Sequence, residues 1–377
     1  MKIELVNLQR QYQRLKTPIS AAIAEVLEKA SFIGGQKIRE FEESFAQYCG
    51  ASYAVGVANG TAALELSLRA LGIGCGHEVI VPSMTFIATS EAVRLVGAIP
   101  VFVDVYSQTG LIDTKAVAKA ITAKTKAVIP VHLYGRSANL TELAKLAENN
   151  GFFIIGDAAQ AHGAIHQGKP IAEMATLTCF SFYPGKNLGA YGDGGAIVTN
   201  DAELAKKVRM MANHGRSDKY FHQILGTNAR LDTLQASILS VKLAYLEEWN
   251  NIRSDLAKRY NSLLLDIDGI ELPVNVPDKD RQVWHLYVIR VKDGKRDDLL
   301  SYLEKLGIGA GIHYPVPLHL QPCNADLGVA KLPICEQMAK EIISLPLCPE
   351  LTYEEQDKVV KVVRNYFANS LSDKVGR

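Results

Sequence analysis

The sequence predicts an α/β fold: a large domain on a mostly parallel, seven-stranded sheet, followed by a smaller α+β C-terminal domain. Three observations predict it. Between about residues 52 and 200, seven short β-rich runs alternate with segments of helical spacing, the pattern of βαβ units. The runs are almost continuously apolar, as strands covered on both faces are. The chain has 377 residues, enough at about 100–200 per domain for two or three domains, or one large one with an annex.

The elements follow in order. The first 35 or so residues read as an arm and a helix packed on another element. The strand runs are YAVGV, EVIVPS, IPVFVDV, KAVIPVHLYG, FFIIGD, LTCFSFYP and GAIVTN, and segments 61–71, 88–96, 114–121 and 140–149 have helical spacing between them. LDTLQASILSVKLAYLEEW carries apolar residues at helical spacing with no breaker, and is expected to be one long helix leading out of the first domain. HLYVIRV, a helix near 296–306, the Pro-rich HYPVPLHLQP and a last helix near 353–370 then form the smaller domain. The expected division is residues 1–250, with the arm, and 251–377.

Composition narrows the function. The chain is 48% hydrophobic and 21% charged, an ordinary globular balance. Forty-one Lys and Arg against 40 Asp and Glu leave a net charge of +1, so no global field draws the protein to nucleic acid or acidic lipid. No apolar stretch reaches membrane-spanning length, and the N-terminus lacks a signal peptide's apolar run. Six scattered cysteines without a CxxC pair read as reduced thiols, not a disulfide framework or zinc site. The expectation is a soluble cytoplasmic protein with room for a pocket, no metal, and no nucleic-acid or membrane partner.

Ligands of parallel sheets bind beyond the carboxyl ends of the strands, so the residues after each run carry the chemistry. After YAVGV comes Asn59-Gly60-Thr61. A small-residue turn opening a helix offers free N–H groups and a hydroxyl to a phosphate; it also reads as a plain helix cap. Asp157 ends FFIIGD, with Gln160 and His162 behind it. A carboxylate at a buried strand tip needs a cation or several donors, or it caps the next helix. His162 reads better as a hydrogen-bonded structural histidine than as a base. Lys186 lies in a Gly-rich loop, SFYPGKNLGAYGDGGA, between two strand runs. It is either a solvated lysine or a desolvated amine with nucleophilic character. Ser181 lies five positions earlier, where it could donate to a phosphate. No Walker A loop is present, and Gly72-Ile-Gly74-Cys-Gly76 has neither the spacing nor the context of a dinucleotide fingerprint. Together, an anion turn, a strand-tip Asp and a lysine 29 residues on (186 − 157 = 29) match the needs of pyridoxal phosphate. These are a phosphate site, a partner for the protonated ring nitrogen, and an amine for the aldehyde. Phe86 could stack on the ring, or simply pack in the core.

On these segments, with PSMTFIAT, GDAAQAHGA and GTNARLDTLQASIL, the chain resembles the DegT/DnrJ/StrS family of pyridoxal-phosphate sugar aminotransferases, of aspartate-aminotransferase fold type I. The likeness runs from FIGGQKIREFEE to HYPVPLHLQP. It implies Lys186 as the cofactor-bearing lysine, Asp157 as the ring-nitrogen partner, Gln160 beside the ring hydroxyl, and Phe86 as the stacking ring. Gly60, Thr61 and Ser181 become phosphate ligands. Asn228 becomes a phosphate contact supplied by a second subunit, which makes the protein a homodimer with shared active sites. Arg230 is where a donor or substrate carboxylate would be held, and His313 and Tyr314 border the sugar pocket. Gly156, where many relatives carry an acid, and residues 171–173, where they usually carry a further Gly, depart from the pattern.

The implied reaction is ping-pong transamination from L-glutamate, which leaves as 2-oxoglutarate, to a keto-sugar carried on a nucleoside diphosphate, for surface-polysaccharide (lipopolysaccharide O-antigen) or other glycan biosynthesis. The HGRSDKYFHQILGTNARLD and WHLYVIRV segments favour a 3-keto hexose, UDP- or dTDP-linked, over a 4-keto one. A non-transaminating sugar dehydratase of the same family lacks the lysine, so Lys186 weighs against it. A regulatory protein would need a DNA-binding or membrane element, and a nicotinamide oxidoreductase its glycine fingerprint; neither is visible.

Overall fold

The computed structural model describes residues 2–375. Its first two helices are α1 (Leu8–Glu28) and α2 (Gln36–Tyr48). The large sheet comprises β1 (Tyr53–Val57), β2 (Glu78–Pro82), β3 (Ile99–Val103), β4 (Thr125–Val128) and β5 (Phe153–Asp157). After the short hairpin β6 (Ile165–His166) and β7 (Lys169–Pro170), β8 (Leu177–Ser181) and β9 (Gly195–Thr199) complete it. The strand order is β1-β9-β8-β5-β4-β2-β3. Six strands run one way, and β9, antiparallel to both β1 and β8, runs the other. The expected mostly parallel seven-stranded sheet is present.

The connecting helices α3 (Gly60–Ala70), α4 (Ala88–Leu95), α5 (Thr114–Ala120) and α6 (Leu140–Asn150) each lie within a residue or two of the periodic segments. Alternation along each strand feeds two cores. Ile80, Val128, Ile154 and Val198 face one side with α2 and α6, and Val79, Val81, Ala127, Ile155 and Ile197 face the other with α3. Both faces are therefore dry, which is why the strands read as unbroken apolar runs.

After α7 (Ala202–Ala212), the expected single long helix is two: α8 (Thr233–Leu243) and α9 (Leu246–Leu264). Ala244 and Tyr245 turn the chain, with Tyr245 N–H on the Lys242 carbonyl and Tyr245 stacked on Trp249. No breaker marks this turn; packing sets it. Leu15 and Ile19 of α1 bury against Ile238 and Trp249, which is the expected docking of the N-terminal helix. A second sheet of β10 (Ile270–Glu271), β11 (Tyr287–Val291) and β12 (Ile342–Leu345) is antiparallel in the order β10-β11-β12. It packs with α9, α10 (Arg296–Lys305) and α12 (Tyr353–Val375) around Leu256, Tyr260, Ile289, Leu299 and Val359, while α11 (Pro333–Glu341) leads into β12. Among the described residues no helix is long and apolar enough to cross a membrane.

Candidate active site

A cavity of about 640 Å³ opens at the carboxyl ends of the parallel strands. Asn59, Gly60 and Thr61 reach it from β1, Phe86 from β2, Asp157 and Gln160 from β5, and Ser181 and Lys186 from β8. Seven of the sequence-predicted residues thus come from the ends of four strands, and His313 and Tyr314 line the same space.

The turn after β1 is a helix cap. Asn59 accepts from Ala62 N–H at 2.8 Å, which leaves the Gly60 and Thr61 N–H groups at the helix start for a ligand. Ser181 Oγ accepts from Tyr183 N–H at 3.3 Å, so its own hydrogen is free to be donated. A Cβ on residue 60 would stand 2.8 Å from the Ser181 Cβ; only glycine lets this cradle close.

Asp157 is 7% exposed. Its carboxylate accepts from Thr89 Oγ1 at 3.0 Å and Ala159 N–H at 3.2 Å. Burial nevertheless holds its pKa above the ordinary carboxylate value, so the site is short of positive charge at this strand tip. Lys186, half-buried, is pushed down to about 8 by burial, against the pull of Asp157. That amine is in part neutral near pH 7–8, as a nucleophile or proton carrier must be.

Gln160 is clamped: its Oε1 accepts from Tyr134 N–H at 2.7 Å and its Nε2 donates to Tyr314 Oη at 3.1 Å. Phe86, 53% exposed, is not a core residue; its ring centre lies 5.6 Å from that of Tyr314, and the two form one wall. His313 Nδ1 lies 2.8 Å from Ser344 Oγ, and burial together with Lys186 lowers its pKa to about 4.

Three expectations fare differently. His162 is buried among Phe45, Phe180 and Phe182, and among the described residues neither ring nitrogen has a partner at full hydrogen-bond geometry, the Ser181 backbone being the polar group beside it. Desolvation drops its pKa to about 3, so it fills the core as a neutral ring. Asn228 is exposed, bridged to Asn213 and outside the Lys186 cavity. Arg230 faces a different cavity, about 680 Å³, with Gly34, Arg39 and Glu42; its Nη1 donates to Asn213 Oδ1 at 3.0 Å. Within one chain, then, neither Asn228 nor Arg230 joins Lys186.

The sequence reading missed Thr89, His285 and the arm residues Leu5 and Val6, although His285, Leu5 and Val6 line the cavity. Thr89 lies one helical turn past Phe86 inside PSMTFIAT, and His285 sits in WHLYVIRV.

The cavity fits pyridoxal phosphate. It combines a helix-start cradle closed by glycine, a buried carboxylate lacking a cation, an amine of lowered pKa and an aromatic wall. A model of the DegT/DnrJ/EryC1/StrS aminotransferase family matches residues 13–364. The dTDP-3-amino-3,4,6-trideoxy-alpha-D-glucose transaminase of Streptomyces venezuelae is 46% identical over 97% of this chain and 96% of its own. The UDP-2-acetamido-2-deoxy-3-oxo-D-glucuronate aminotransferase of Pseudomonas aeruginosa is 42% identical over 93% of this chain and 96% of its own. The S. venezuelae DesV structure, solved with a ketimine intermediate, superposes with a TM-score of 0.94 at 45% identity, covering 97% and 98% of the two chains. A putative sugar aminotransferase of Streptococcus pneumoniae, solved in its PMP form, gives a TM-score of 0.90 at 27% identity over 95% and 97%. By its fold, its pocket and its relatives, the chain belongs to the DegT/DnrJ/EryC1/StrS aminotransferase family and is a pyridoxal-phosphate-dependent aminotransferase.

Proposed function

We propose that the protein transfers the amino group of L-glutamate to the C3 carbonyl of a nucleotide-linked hexose, UDP- or dTDP-linked, working as a homodimer with shared active sites. The observation that carries this reading is the meeting of Lys186, with its lowered pKa, and the buried Asp157 in one cavity walled by Phe86 and Tyr314. The 3-amino and 3-oxo sugars named for the S. venezuelae and P. aeruginosa relatives support position 3. Amino-sugar nucleotides of this type feed polysaccharide and glycan assembly. In the same reading residues 1–250 form the cofactor-binding domain and 251–377 the smaller one.

Bound here, pyridoxal phosphate supplies an aldehyde to receive the amino group and an electron sink for the charge left at the donor's α-carbon. The N–H groups of Gly60 and Thr61 and the Ser181 hydroxyl hold its phosphate. Asp157 keeps the ring nitrogen protonated, a role its burial strengthens once a cation is present. Phe86 covers one ring face, and Gln160, oriented by Tyr134 and Tyr314, lies beside the ring hydroxyl. The Lys186 amine takes the α-proton of glutamate and returns one to the cofactor carbon; in the second half it runs these transfers in reverse on the sugar. His313 and Tyr314 border the sugar.

The test is spectroscopic. The protein loaded with pyridoxal phosphate is expected to absorb near roughly 410–430 nm, and L-glutamate should move the band to shorter wavelength. A panel of UDP- and dTDP-linked 3-keto and 4-keto hexoses should then restore it, with the 3-keto compounds fastest. Lys186→Ala should bind the cofactor without turning over. No band, or a band unmoved by glutamate, overturns the proposal.

A further inference from the structure

Tyr134 lies in the connection that follows β4, buried, and each of its three hydrogen-bonding groups holds a different residue of the Lys186 cavity. Its N–H donates to Gln160 Oε1 at 2.7 Å. Its carbonyl accepts from the His285 N–H at 3.1 Å. Its hydroxyl donates to the carbonyl of His313. Tyr134 itself stands behind the cavity wall, beside Leu133 and Trp284. The direction of each bond is fixed, because a backbone N–H only donates and a carbonyl only accepts. Gln160 therefore turns its oxygen to Tyr134 and its nitrogen to Tyr314 Oη, 3.1 Å away. Tyr314 directly follows His313, so the bonds form a closed ring through Tyr134, Gln160 and the 313–314 segment. Burial pushes the Tyr134 pKa up, so the hydroxyl keeps its hydrogen at any working pH.

The partners of Tyr134 belong to different sheets. Gln160 follows β5 of the large sheet, His285 leads into β11 of the small one, and His313 Nδ1 lies 2.8 Å from Ser344 Oγ in β12. Tyr134 reaches all three from a left-handed backbone, with φ 57° and ψ 17°, a conformation that costs any residue but glycine and persists only where its surroundings over-determine it. The turn that holds it is closed by His132, whose Nδ1 accepts from the Ala138 N–H at 3.1 Å. We infer that Tyr134 is a positioning residue that registers the sugar side of the cavity, His313 and Tyr314, against its cofactor side, Gln160. The inference rests on the transamination reading for what those two sides hold. The two jobs are separable: the backbone N–H holds Gln160 whatever side chain is present, and the hydroxyl alone reaches His313. Tyr134→Phe should therefore loosen the sugar side and leave the cofactor side in place.

The first measurement is amide hydrogen exchange of the full-length protein, wild type against Tyr134→Phe, read by mass spectrometry. The Gly311 N–H is held by the Ser344 carbonyl and the Leu318 N–H by the Ser83 carbonyl, so both report on the segment that carries His313. A buried acceptor left unpaired is worth about tenfold in a local opening equilibrium, and these two amides should exchange faster by about that factor. The Ala158 and Ala161 amides, beside Gln160, should exchange as in wild type. The second measurement uses the pyridoxal-phosphate-loaded enzyme and follows each half-reaction by absorbance. The glutamate half should slow by no more than about twofold. The half-saturating concentration of the keto-sugar nucleotide that reacts fastest in the panel above should rise about tenfold. A hydroxyl with a merely structural role would slow both halves alike. Unchanged exchange at Gly311 and Leu318, or equal losses in the two half-reactions, overturns the inference. The exchange experiment needs neither cofactor nor turnover. Failure of the transamination reading, seen as a wild-type band unmoved by glutamate, is therefore a separate result.

Discussion

The Thr89 hydroxyl donates to Asp157 Oδ2 at 3.0 Å, across 68 positions of sequence. It joins the first turn of α4 to the tip of β5, and among the described residues the carboxylate otherwise receives only the Ala159 N–H. Hydrogen bonds to a charged group are worth about 1.5–3 kcal/mol. Thr89→Val keeps the shape and removes the donor. We expect kcat/KM to fall about tenfold or more and cofactor to dissociate more readily, with Thr89→Ser near wild type. Steady-state rates and a pyridoxal-phosphate titration followed by fluorescence check this; a wild-type Thr89→Val would show that Thr89 does not tune Asp157.

Asp157 is selected against stability. Its folded-state pKa lies above the unfolded value, so the unfolded chain gives up this proton first as pH rises. The resulting cost is absent in acid, grows through that window and is complete above the folded value. Asp157→Asn should abolish turnover yet raise the melting midpoint of cofactor-free protein at pH 7.5 by about 1–3 °C, with the gap closing near pH 4. A lower midpoint for the variant at pH 7.5 would contradict the argument.

Lys242 runs by the same linkage with opposite charge. Its Nζ donates to the Gly189 carbonyl at 2.7 Å and lies 4.2 Å from the centre of the Tyr191 ring, so α8 pins the loop that follows Lys186. Burial lowers its pKa to about 8, against about 10.4 in an unfolded chain. Between those values the unfolded state binds more protons, and stability rises with pH. Lys242→Met should remove this share, flattening the gain in melting midpoint from pH 7.5 to 9.5 by about 1–3 °C. Differential scanning fluorimetry of both proteins decides it: parallel curves refute the buried titration.

The sequence carried the layers well because both sheet faces are dry, so strand and helix periods stayed unmixed. It carried Lys186, Asp157, Gly60 and Ser181 because each sits beside a strand end with little choice of neighbour. Thr89 and His285 were not legible: each meets its partner, Asp157 or Asn187, far along the chain, and neither residue type is unusual in its segment. The turn between α8 and α9 was hidden for a related reason, since stacking of Tyr245 on Trp249 and the burial of Lys242 decide it, not a breaker. His162 is a structural histidine, as expected, but three phenylalanine rings supply most of its surroundings, with the Ser181 backbone beside it.

Asn228 and Arg230 lie off the Lys186 cavity in one chain, which is where residues serving a neighbouring copy would lie. Around them the segment exposes Tyr220 (80%), Phe221 (66%) and Leu225 (85%), a large apolar surface to leave in water. If Asn228 serves the partner's cofactor, Lys186→Ala and Asn228→Ala damage different chains of the same site. Each variant alone should be nearly inactive. Mixed by co-expression or by unfolding and reassembly, half of the dimers pair one chain of each kind. In those dimers one site collects both defects and the other collects neither. The mixture should then regain about one quarter of wild-type activity, and a tagged heterodimer purified from it about one half. No recovery in a heterodimer confirmed by mass would place Asn228 in its own chain's site and remove the argument for shared active sites.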